Sequence, residues 1–123
     1  MNTQIKVIQP GGIFDSRNGK PIQEEIKKLI ESGIKTFLMD FQSVHFMDSS
    51  GFGILLLIVK TIHEKKARLA LCSINEQIRM ILEMSGTSKI FEVFPDQVSF
   101  IEIVTQKHEQ DMSNKEGGFK IRV

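Results

Sequence analysis

The sequence has one cysteine, no long apolar run and almost no net charge, and each shortage removes a class of protein. Cys72 has no partner, so no intrachain disulfide can form; in the apolar stretch Leu69–Cys72 it suits a strand as a small hydrophobe, and a reducing cytoplasm is the expected setting. Sixteen Lys and Arg against fifteen Asp and Glu leave a formal charge of +1, so no overall field draws the chain to nucleic acid or anionic lipid. The basic clusters Lys27-Lys28 and Lys65-Lys66-Ala67-Arg68 lack interleaved aromatics for base stacking and read as solvated helix faces or ends. Neither nucleic acid nor membrane is an expected partner. The longest apolar run, Ile54–Val59, falls far short of the roughly 20 residues of a membrane span. The amino terminus has no charged start followed by an apolar segment, so no secretory signal is expected and the chain is expected to begin at Met1. A length of 123 residues with 41% hydrophobic and 25% charged side chains fits one compact domain.

What is present is an alternation of strand and helix patterns. Gln4–Gln9 alternates Ile5 and Val7 against Lys6 and stops at Pro10-Gly11-Gly12, as a half-buried strand does. Pro21 suits a first helical position, and Ile22, Ile26, Leu29 and Ile30 recur at helical spacing up to Gly33. Thr36–Phe41 carries Phe37, Leu38 and Met39 in succession, the pattern of a strand covered on both faces, with Asp40 near its carboxyl end. From Ser49 or Ser50 to about Lys65 the chain reads as the most buried helix. Leu69–Cys72 is the next strand. Ser73-Ile74-Asn75-Glu76 has capping-box spacing and predicts a helix ending near Gly86, with Ile78, Ile81 and Leu82 as its stripe. A final strand near Phe91–Phe94 precedes Asp96, which can cap a last helix carrying Phe100, Ile101, Ile103 and Val104.

Four strands alternating with four helices predict an α/β domain over residues 1–107, with a largely parallel sheet. From His108 the chain turns polar and is expected to form a mobile tail over 108–123. Its last residues restore strand alternation, with Phe119, Ile121 and Val123 on one side, and a short strand at 119–123 is expected.

The unusual local sequence is Phe46-Met47-Asp48-Ser49-Ser50-Gly51-Phe52-Gly53, where a loop enters the buried helix. The first N–H groups of a helix lack intrahelical partners and carry the positive end of its dipole, so a serine there is well placed to hold a phosphate. Gly51 and Gly53 allow a partner to approach closely. Asp48, Ser49 or Ser50 equally suits a plain N-cap, and these residues alone leave cap and functional site both open. Asp15, three residues after Gly12, suffices as a cap for the turn toward the first helix.

Enzyme readings find less support. Ser49 is not in G-x-S-x-G and no second motif supplies a base. Gly51-Phe52-Gly53 is followed by an apolar run with no lysine before Lys60, unlike a phosphate loop. His45, His63 and His108 lie in separate segments, and His45 with Asp48 offers at most two metal ligands. No catalytic residue, metal or cofactor is expected.

At Asp48-Ser49-Ser50-Gly51-Phe52-Gly53, preceded by Val44-His45-Phe46-Met47, the chain resembles the STAS domain of bacterial anti-sigma-factor antagonists, which commonly read F-M-D-S-S-G-L-G here. Gly12-Ile13-Phe14-Asp15 is similar to that family's G-x-L-D turn, and Met84-Ser85-Gly86 to its M-S-G after the third helix. The resemblance spans about Gln4 to Asp96. It implies a mixed, mostly parallel sheet of about four strands flanked by about four helices. It also implies a partner-switching cycle: an anti-sigma factor that is also a serine kinase binds the unmodified protein, phosphorylates the first serine after the aspartate, Ser49 here, and is released until a serine phosphatase resets the site. By similarity, Asp15, Asp48, Ser49, Ser50, Gly51 and Phe52 face the partner.

Two departures stand out. Phe52 replaces the usual leucine and bears on partner choice, and the family's usual first strand is missing, since only three residues precede the strand at Gln4. Two other roles compete: a scaffold or sensor subunit of a stress-signalling assembly, and a module binding a small ligand or nucleotide at the Asp48 loop.

Overall fold

The computed structural model describes residues 4–113, with side chains over 4–106. The elements are β1 (Ile5–Ile8), β2 (Gly11–Phe14), α1 (Ser16–Glu31), β3 (Thr36–Asp40), β4 (Ser43–Met47), α2 (Ser49–Glu64), β5 (Arg68–Cys72), α3 (Glu76–Met84), a 3-10 turn (Ser88–Ile90), β6 (Glu92–Phe94) and α4 (Gln97–Ser113). α4 runs past Lys107, at which the sequence reading ends the domain. Residues 119–123, where that reading expects a strand, lie outside the described residues.

Four strands form a sheet in the order β1-β3-β5-β6, every pairing parallel. Each strand alternates its side chains between the two faces. Phe37, Met39 and Leu71 join Ile8 beneath α1, α2 and α3 in one cluster, while Leu38, Ala70 and Cys72 meet Phe100 and Val104 of α4 in a second. The consecutive apolar residues of β3 are thus explained by cover on both faces. α2 is the central helix, with Ile54, Leu55, Ile58, Val59 and Ile62 buried.

A second sheet, β2 with β4, is not anticipated by the sequence. Its strands pair in parallel and carry an irregularity after Gly12 that leaves His45 without an opposite residue. Gly12 adopts φ +70 there, a conformation that favours glycine. The free edge of β4 is closed by side-chain amides. Gln77 Oε1 accepts from Met47 N at 3.0 Å, Gln77 Nε2 donates to Met47 O at 2.8 Å, and Asn75 Nδ2 donates to His45 O at 3.1 Å. These bonds supply what a neighbouring strand would otherwise provide.

Two helix starts differ from expectation. α1 begins at Ser16, not at Pro21, which lies inside the helix. Asp15 caps it, and its first turns pack where Gly19 meets α2; a Cβ on Gly19 would lie 2.9 Å from Ile54 Cγ2. That packing outweighs the one backbone bond that proline removes. At α3 the capping box does not form. Ser73 sits at φ +59, its hydroxyl donating to Pro95 O at 3.2 Å, and Asn75 takes over the cap by accepting from Ile78 N. Asp96 accepts from Ser99 N at 2.9 Å, as the sequence predicts for the start of the last helix.

Candidate functional site

The site is built from two parallel strand-to-helix junctions lying side by side. β2 ends at Phe14 and β4 at Met47, which pair with each other, and each strand is followed by an aspartate that caps the next helix. Asp15 accepts from Asn18 N and Asp48 from Gly51 N, both at 2.9 Å. The pairing brings two carboxylates and two helix amino termini to one edge of the molecule.

Hydrogen bonds join the two junctions. Asp48 N donates to Phe14 O at 3.3 Å. Ser50 Oγ accepts from Ser16 N at 2.9 Å and donates to Asp48 Oδ1 at 2.8 Å, so the Ser50 hydroxyl is occupied as donor and as acceptor. Ser49 precedes it on the first turn of α2 and is exposed, and among the described residues no partner holds its hydroxyl. The Gly51 N–H and the Ser50 hydroxyl hold the Asp48 carboxyl below the ordinary carboxylate range.

The remaining expected site residues divide. Gly51 is buried, and what it lets approach is this chain's own β2: a Cβ there would lie 1.9 Å from Phe14 O. Gly53 faces open space. Phe52 is half-buried against the main core. Met84-Ser85-Gly86 ends α3, with Ser85 N donating to Ile81 O and Gly86 at φ +76.

An apolar pair that the sequence pattern does not announce lies just before the two junctions. Ile13 and Phe46 face each other across β2 and β4 and are 51% and 47% exposed. Its signal was hidden because neither strand is legible alone. Also missed was Asp40, 2% exposed, which binds three groups at the carboxyl end of β3: Gln97 Nε2 at 2.7 Å, Gln42 N at 2.9 Å and Gln9 Nε2 at 3.2 Å. Burial works to raise its pKa, but these hydrogen bonds outweigh burial and hold it below the ordinary value. No cluster of three metal-ligating side chains occurs among the described residues. No described helix is long and apolar enough to cross a membrane.

Residues 2–99 match the family model described as the STAS domain. The chain belongs to the STAS domain family. This STAS domain is 26% identical to the anti-sigma F factor antagonist of Paenibacillus polymyxa, the match covering 80% of this chain and 92% of that protein. It is 20% identical to the anti-sigma-B factor antagonist of Staphylococcus aureus, covering 70% of this chain and 80% of that protein. Among solved structures it is similar to the anti-sigma factor antagonist SpoIIAA in its unphosphorylated form, with 19% identity, a TM-score of 0.62 and coverage of 95% and 94%. It is similar also to the STAS domain of a SulP transporter from Vibrio cholerae, with 17% identity, a TM-score of 0.70 and coverage of 89% and 87%. A regulator and a transporter domain thus share this fold, so the fold leaves the function to be argued from the site.

Proposed function

We propose that this STAS domain is an anti-sigma factor antagonist of bacterial partner switching. In its unmodified form it binds an anti-sigma factor that is also a serine kinase and so frees a sigma factor. Phosphorylation of Ser49 releases the kinase, and a serine phosphatase restores the binding form. The domain acts as a binding switch in the cytoplasm and is a substrate of these enzymes.

The observation that carries the reading is the contrast between the adjacent serines. Ser49 offers an exposed hydroxyl directly after Asp48 at a helix amino terminus, while Ser50 is held by Ser16 and Asp48. The helix end favours an added phosphoryl group. That group brings about −1.5 to −2 charges. Beside the carboxylates of Asp48 and Asp15 it adds further negative charge to an edge that already carries two, and so makes an interface built there repulsive. The antagonist relatives, which cover most of both chains, agree with this role.

The test is phosphopeptide mapping after incubation with ATP and the kinase recovered on the unmodified protein from its native cell. The expected product carries phosphate on Ser49. Stoichiometric phosphorylation of the Ser49→Ala variant overturns the assignment.

A further inference from the structure

β1 stands at one end of the sheet, and among the described residues its only strand neighbour is β3. In a parallel pair alternate N–H and C=O groups point away from the neighbour. The outer groups of Ile5–Ile8 therefore form an open edge of the kind folded proteins usually cover. Its side chains divide by face: Lys6 pairs with Glu25 of α1 at 3.9 Å, while Ile5 and Val7, both half-buried, pack in the cluster under α4 with Ile103.

The path of the chain points back toward this edge. From β1 through β3 and β5 to β6 the sheet grows in one direction, with α1, α2 and α3 on a single face. Parallel crossovers keep one hand. A chain that reverses direction must then place its helix on the opposite face, and α4 does so. A strand following α4 at the outer side of β1 would be parallel to β1 and would keep the hand of every earlier crossover. Five residues, 114–118, separate the end of α4 from Phe119. Six steps of extended chain reach roughly 20 Å.

The segment fits the edge chemically. Phe119, Ile121 and Val123 alternate with Lys120 and Arg122. Placed alongside β1 in parallel, the apolar set would continue the surface of Ile5 and Val7, and the basic set would fall on the side of α1, where Glu24 and Glu25 are exposed. We propose that Phe119–Val123 adds to the free edge of β1 as a fifth parallel strand of its own molecule's sheet.

Residue-resolved amide exchange on the full chain, at two protein concentrations about tenfold apart, tests this against the Ile121→Asp variant. Amides of Ile5–Ile8 that point away from β3 should exchange about tenfold or more slowly in the parent than in the variant, equally at both concentrations. Amides of α2 should exchange alike in both proteins, which shows that the variant is folded. A second comparison, with the chain ended after Ser113, should give the same loss of protection. Equal exchange of the β1 amides in parent and variants overturns the proposal, and protection that rises with concentration overturns it in favour of pairing between copies.

Discussion

The backbone N–H of Ser16 donates to the hydroxyl of Ser50 at 2.9 Å, which ties the first turn of α1 to the first turn of α2. The same hydroxyl donates to Asp48, so one serine orients the aspartate and caps a neighbouring helix, while among the described residues no partner holds the hydroxyl of Ser49. The geometry gives Ser49 and Ser50 different surroundings, and substitutions should separate the tasks proposed for them.

Ser50→Ala removes the link between the two helix starts. Stability should fall by about 0.5–1.5 kcal/mol, read from urea unfolding, while Ser49 remains a phosphorylation substrate. Ser49→Ala should leave stability unchanged and stay bound to the kinase in the presence of ATP. Ser49→Asp carries part of the phosphoryl charge and should bind weakly. A Ser50→Ala protein that folds as the parent does but takes no phosphate would reverse the two roles.

Gly51 and Gly53 should respond in opposite directions to the same substitution. Gly51→Ala drives a methyl group into the Phe14 carbonyl and should cost at least the upper part of the about 1–3 kcal/mol typical of overpacking. Gly53→Ala places its methyl group in open space within a helix and should stabilise by about 0.5–1 kcal/mol. Thermal melts of both variants check the contrast, and similar shifts would contradict the packing described for Gly51.

Asp48→Asn keeps an oxygen to accept from Gly51 N but loses the charge. Its melting temperature should stay near that of the parent, whereas the rate of phosphorylation at Ser49 should drop severalfold or more. Loss of cooperative folding, with kinase affinity intact in the folded fraction, would place Asp48 in the framework instead.

Asp40 should impose a pH dependence on stability. Its folded pKa lies below its unfolded value, so its contribution is complete above the unfolded pKa of about 3.9 and is lost as pH falls through the folded one. Asp40→Asn should be less stable than the parent by about 1–3 kcal/mol at neutral pH, since three donors lose a charged acceptor. Urea unfolding from pH 7 to pH 3 should show the gap narrowing below about pH 4. A gap of constant size would mean that the charge of Asp40 contributes nothing.

Much of this protein is legible because local pattern and tertiary environment agree. The successive apolar residues of β3 state that both faces are covered, the long apolar run of α2 states that it is central, and Asp96 announces a helix by its place three residues before Ser99, whose N–H donates to it. Asp48-Ser49-Ser50-Gly51 declares a helix start, because capping needs only residues close in sequence. Tertiary structure decided what depends on distant chain. β2, with two glycines, and β4, with Ser43 and His45, become strands only because they pair with each other and because Gln77 and Asn75 close the outer edge. Ser73 gave up its expected cap for a bond to Pro95, and Asp40 found partners 31 and 57 residues away. That the Ser50 hydroxyl is engaged was likewise decided by Ser16, a residue 34 positions away, since a hydroxyl's occupancy depends on what the fold brings beside it.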